Sequence, residues 1–65
     1  MITINAQKII AHLRRKGISQ NELAKKVGVT GAAISKILNG FKDPSLAVAK
    51  RIADYFGCTI DELVN

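Results

Sequence analysis

Residues 19–40 read SQNELAKKVGVTGAAISKILNG, and the order of caps, glycines and apolar side chains in this stretch decides the fold. Ser19 opens it with the pattern of a capping box, in which the hydroxyl accepts from the amide of Glu22 and the Glu22 carboxylate returns to the amide of Ser19. Ile18 before the cap and Leu23 after it form a hydrophobic staple. Leu23, Ala24 and Val27 supply one buried face, and Gly28 stands where a left-handed residue ends a helix. A second helix begins at the cap Thr30, with Val29 and Ile34 as its staple and Ile34, Ile37 and Leu38 as its apolar stripe. Asn39 and Gly40 close it, because both residue types tolerate a positive φ.

The two helices are joined by Gly28, Val29 and Thr30, a glycine-containing turn short enough to set them at a steep angle, which makes the pair a helix-turn-helix. Ala24 has the small side chain that a close crossing needs. Helical spacing continues outward on both sides. Before the pair, Ala6, Ile9, Ile10 and Leu13 fall at i, i+3, i+4 and i+7, with Asn5 as cap, Ile4 as staple to Ile9 and Gly17 as stop. After it, a loop of Phe41 to Pro44 leads to the cap Ser45 and a helix whose Leu46, Ala49, Ile52, Ala53 and Phe56 share one face. A last helix opens at Thr59, with Glu62 in the capping-box position and Leu63 inward. Alternation from Met1 to Ile4 is too short to found a sheet. The expectation is a single all-α domain over residues 1–65, a compact five-helix bundle.

Composition narrows the function. A chain of 65 residues with 48% hydrophobic side chains is globular, with no room for a cleft between two lobes. The lone Cys58 excludes an internal disulfide and any multi-cysteine zinc site. No secretory leader and no apolar run near the roughly 20 residues of a membrane span is read, so the expected location is the cytoplasm. The net charge of +5 is unevenly spread. Residues 1–42 carry eight basic side chains against Glu22 alone, whereas residues 43–65 carry Lys50 and Arg51 against Asp43, Asp54, Asp61 and Glu62. The first two thirds therefore suit a polyanion such as nucleic acid, with a merely solvated basic surface as the alternative.

The stretch from Ser19 to Thr30, followed by Ile34-Ser35-Lys36-Ile37 and Asn39-Gly40, resembles the Cro and phage-repressor type of helix-turn-helix. The likeness continues through Pro44-Ser45-Leu46, Ile52-Ala53, Phe56-Gly57 and Asp61-Glu62-Leu63 and so covers essentially the whole chain. It implies a lambda-repressor-like DNA-binding domain acting in transcriptional regulation, usually as a homodimer on a pseudo-palindromic site in double-stranded DNA. The resemblance places the recognition helix at Thr30 to Asn39, with its amino-terminal end in the major groove. It assigns base-facing positions to Gly31, Ala32 and Lys36, with Thr30, Ala33 and Ser35 beside them. Gln20, Asn39 and Lys42 match positions that hold the phosphate backbone and so fix register before any base is read.

Two departures from the family pattern carry physical consequences. Gly31, Ala32 and Ala33 stand where relatives often have Gln, Arg or Asn, which removes bidentate base contacts from those positions. Thymine-methyl contacts from the alanines and hydrogen bonds from Ser35 or Lys36 remain, so specificity is expected to lean on DNA shape, on Lys36 to guanine, or on a partner. Leu13 and Leu38 stand where the family commonly pairs an Arg with a Glu, and a hydrophobic pair there avoids the desolvation cost of a buried ion pair, so the two are expected to touch.

The other polar residues have bland readings. His12 is read as solvated beside Arg14, Arg15 and Lys16, whose charges favour a helix carboxyl end. Cys58 reads as a packing thiol. Asp61 and Glu62 sit in the first turn of a capped helix, where acids favour the dipole, and are no catalytic pair. Gly28 and Gly31 lack the Lys-Ser or Lys-Thr of a phosphate loop, so no nucleotide or other cofactor is implied. Phe41 is expected to cap the core. Tyr55, Leu63 and Val64 either close the core or form a small apolar patch through which two copies pair, placing recognition helices about 34 Å apart. The reading is a DNA-binding regulator such as a repressor, with no enzymatic function. Its competitor is an antitoxin-like or other protein-interaction module with secondary DNA binding.

Overall fold

Four of the expected helices form where caps and glycines place them. The structure, a computed structural model, describes residues 3–64. It contains α1 (Ala6–Lys16), α2 (Gln20–Val27), α3 (Gly31–Leu38) and α4 (Leu46–Phe56). Each starts at a polar cap in extended conformation. Asn5, Ser19, Thr30 and Ser45 accept from the amides of Gln7, Glu22, Ala33 and Val48 respectively. At Ser19 only the hydroxyl half of the expected box forms, at 3.2 Å from the Glu22 amide.

The fifth helix is corrected to a single 3-10 turn, Ile60–Glu62. It starts as expected, with Thr59 and Glu62 closing a reciprocal capping box. It then stops as the chain turns to pair with its other described end, Val64 entering a bridge with Ile4 instead of a further helical turn. The Asn5 amide donates to the Leu63 carbonyl at 2.8 Å, and Ile4 forms an isolated antiparallel bridge with Val64. Met1 and Ile2, the first half of the short apolar alternation, lie outside the described residues.

Ile9 and Leu13 of α1, Leu23, Ala24 and Val27 of α2, Ile34 of α3, Ile52 and Ala53 of α4, and Leu63 form one buried cluster. No buried polar side chain interrupts it among the described residues. Leu13 is 6% exposed within the cluster, and Leu38 packs half-buried against it. Tyr55 and Val64 are half-buried and Leu63 is fully so. Leu63 closes the core with Tyr55 packed against it, while Tyr55 and Val64 each keep part of their surface in solvent. No helix of the described residues is long and apolar enough to cross a membrane.

The ways the helices end account for the largest mismatch with expectation. In α1, α2 and α4 the residue after the terminal glycine donates its amide back to a carbonyl of the last turn, pairing Ile18 with Leu13, Val29 with Ala24 and Cys58 with Ala53. That geometry brings two apolar residues together, and all six face the core. α3 ends in the same way, Gly40 donating to Ile37 and Phe41 to Lys36. Here the partner is a lysine. Phe41 has no apolar neighbour across the turn and stands 83% exposed, so it does not cap the core. Pro44 is fully buried in its place, and Leu46, expected on the inner face of α4, is left 63% exposed at the first turn.

His12 also departs from its solvated reading. It is half-buried, with its ring stacked on Phe56 at 4.7 Å between centroids and 12° between planes. One turn on, the Lys16 ammonium lies over the Tyr55 ring, 5.1 Å from its centroid. Cys58 is half-buried, and its thiol is pushed above the ordinary cysteine value by burial and by the charge of Glu62, whose carboxylate also takes its hydrogen bond. The thiol is thereby held in its neutral, weakly nucleophilic form.

The Thr59 cap should be worth measuring on its own, because it delivers Leu63 to the core. Thr59→Ala is expected to cost about 1 kcal/mol. In a thermal melt that corresponds to a midpoint about 4–8 °C lower.

Candidate nucleic-acid interface

The α2–α3 pair is positioned by its turn and by one long side chain from outside it. Gly28 takes φ +77, a conformation that costs other residues roughly 1–2 kcal/mol. The Val29 amide returns to the Ala24 carbonyl at 3.0 Å, and Ala24 itself is 2% exposed. From α4, Arg51 donates through Nη1 to the Val27 carbonyl at 3.4 Å, supplying a cation and a donor where α2 leaves its last carbonyls unpaired. Sequence periodicity does not show this bridge, since Arg51 reads simply as a basic residue on the outer face of α4.

α3 projects with one face in the core and the other in solvent. Ile34 and Ile37 are buried, whereas Thr30, Ala32 and Lys36 are exposed and Gly31, Ala33 and Ser35 are half-buried. Gln20, at the first turn of α2, and Asn39 and Lys42, past the end of α3, are exposed as well. Among the described residues no ion pair engages Lys25, Lys26, Lys36 or Lys42, so these charges are available to an external anion.

Several of the expected contact residues hold the helix as well as its outer face. Thr30 uses its hydroxyl oxygen to cap α3, accepting from Ala33 at 3.1 Å. Asn39 turns its side-chain amide back on α3 and donates to the Ser35 carbonyl at 2.9 Å and to Ser35 Oγ at 3.2 Å. That arrangement leaves the Ser35 hydroxyl proton free to donate outward, while it commits the Asn39 amide within the protein. What surrounds Gly31 was not read from the sequence. A Cβ built there would collide with the side-chain oxygen of Asn21, an exposed residue of α2. A signal was present in the pairing of a glycine at the first position of one helix with a short amide near the start of the other, but it acquires meaning only once the crossing is known.

A short glycine turn, a capped second helix with an exposed face, and a shared core with α1 and α4 together define a helix-turn-helix domain. The chain belongs to the helix-turn-helix family, whose pattern it matches over residues 9–63. It is 44% identical over 46 residues to an uncharacterised helix-turn-helix-type transcriptional regulator of Methanocaldococcus jannaschii, covering 71% of this chain and 70% of that protein. A second such regulator, from Bacillus subtilis, is 29% identical over 62 residues, covering 95% of this chain and 80% of the relative. Among solved structures, the crystal structure of the P22 c2 repressor protein in complex with a synthetic operator superposes with a TM-score of 0.85 at 25% identity, covering all of this chain (100%) and 96% of that one. The solution structure of the DNA-binding domain of the same repressor gives 0.79 at 27% identity, covering 94% and 82%.

Asn39→Ala removes both bonds to Ser35 and is expected to lower stability by about 1 kcal/mol. Urea unfolding without any nucleic acid present would report this loss, separating the capping role of Asn39 from any contact it makes to an external ligand.

Proposed function

We propose that this protein is a sequence-preferring DNA-binding transcriptional regulator that acts as a homodimer, with α3 in the major groove. The observation that carries the reading is the outward face of α3, where Ala32 and Lys36 are exposed on a capped helix flanked by lysines that form no ion pair among the described residues. Its relatives are helix-turn-helix-type regulators, and the P22 c2 repressor is seen in complex with operator, which supports the same activity here. Non-enzymatic action is the matching expectation.

The roles follow from chemistry. Lys36 donates to the acceptor edge of a guanine, Ala32 and Ala33 meet thymine methyl groups, and the Ser35 hydroxyl donates to a neighbouring base. Gln20, at the open end of α2, and Lys42 hold phosphates and set the register. With so few direct contacts, sequence-dependent shape contributes the remaining preference.

A second reading is favoured by a different observation, the exposure of Phe41 and Leu46 around the α3–α4 connection. Two large apolar side chains left in solvent suit a protein-interaction module of the antitoxin-like kind, in which DNA contact is secondary. Stoichiometric co-purification of another chain would favour it.

DNA binding is tested by titrating a selected duplex at several salt concentrations. The expected log-log slope is about −0.9 per phosphate neutralised, and an affinity indifferent to salt would overturn the reading. On the same duplex, Lys36→Ala should lose about 1–3 kcal/mol of discrimination at one base pair. Gln20→Ala should instead weaken all sequences alike.

A further inference from the structure

The exposed tip of α3 has no long side chain of its own, yet a polar group does stand there. A Cβ on Gly31 would collide with the amide oxygen of Asn21 and would lie 3.5 Å from its Cγ. The carboxamide of Asn21 therefore fills, from α2, the volume that a side chain at position 31 would take. Asn21 is exposed, and no hydrogen bond or ion pair occupies it among the described residues. Neighbouring polar groups are differently placed. Thr30 spends its oxygen on the Ala33 amide, and Asn39 spends its amide on Ser35.

We infer that Asn21 is a base-reading residue of this protein. Its carboxamide, lying beside Gly31 at the end of α3 that enters the groove, substitutes for the missing side chain of position 31. A carboxamide offers one donor beside one acceptor, which complements the N6 and N7 edge of adenine, whereas guanine presents two acceptors there. An adenine is accordingly the base it reads. Gly31 is then required by more than the helix: any side chain at 31 displaces the reading group. The inference rests on the DNA-binding reading above.

The test uses the full chain and duplex DNA selected from a randomised pool. Affinities at fixed salt are measured for the selected duplex and its single-base-pair variants, with wild type, Asn21→Ala, Gly31→Ala and the double variant. Wild type should penalise replacement of one A·T pair per half-site by about 5- to 100-fold. Asn21→Ala should accept all four base pairs equally at that position while keeping its preferences elsewhere. Gly31→Ala should show the same local loss, and the double variant no more than either single one, because both changes remove one contact. A uniform drop across all duplexes on Asn21→Ala would overturn the inference, since that is the signature of a phosphate contact. So would an unchanged profile, additive losses, or a wild type with no preferred A·T pair. Failure of wild type to select any duplex would overturn the DNA-binding reading itself, and it would be seen before any variant is compared.

Discussion

The direction in which α3 leaves the body is set by three residues, and the structure secures them from two sides. Gly28 takes the left-handed conformation that the turn needs, with the Val29 amide returning to Ala24. From the opposite side, Arg51 reaches across from α4 to the last carbonyl of α2. The buried Ala24 lies on the same core cluster as Ile34, so turn, crossing and core are one arrangement. In a fold of this size, whose net stability is about 5–15 kcal/mol, such local terms are a large share of the total. The caps at Asn5, Ser19, Thr30, Ser45 and Thr59 contribute on the order of 1 kcal/mol each and matter in the same way.

Helix termini also divide the surface into parts that serve stability and parts that do not. Where the residue past the cap and its partner in the last turn are both apolar, as with Ile18 and Leu13, the chain is drawn back into the core. Where the partner is Lys36, the same backbone geometry sends Phe41 outward. One lysine thus places its charge on the outer face of α3 and leaves an aromatic ring in solvent beside it. The basic excess lies in residues 1–42, which include this region, whereas α4 and the turn after it carry most of the acids.

Much of the architecture was legible because it rests on local chemistry. Caps and stop glycines are each decided within four or five residues, and they placed α1 to α4 correctly. The last segment was misread for the complementary reason: its Thr59–Glu62 box is local and formed, but the residue that follows, Val64, is paired with Ile4, sixty residues away in sequence. His12 was misjudged likewise, since its stacking partner Phe56 belongs to another helix. Of the site, the exposed face of α3 could be read from periodicity. The Asn21–Gly31 contact and the Arg51 bridge could not, because each joins residues from two elements whose crossing no pattern within either one specifies.

The pairing of Ile4 with Val64, reinforced by the Lys8 ammonium donating to the Val64 carbonyl at 2.8 Å, fastens the first and last described segments together at one edge. Topologically the domain is close to a closed ring. A short peptide joining these segments would let the chain be reopened elsewhere, in the 41–45 loop for example, with its order of helices permuted and the α2–α3 pair unmoved. The same closeness suits the unit to being spliced into a surface loop of a larger host polypeptide, entering and leaving through a single doorway.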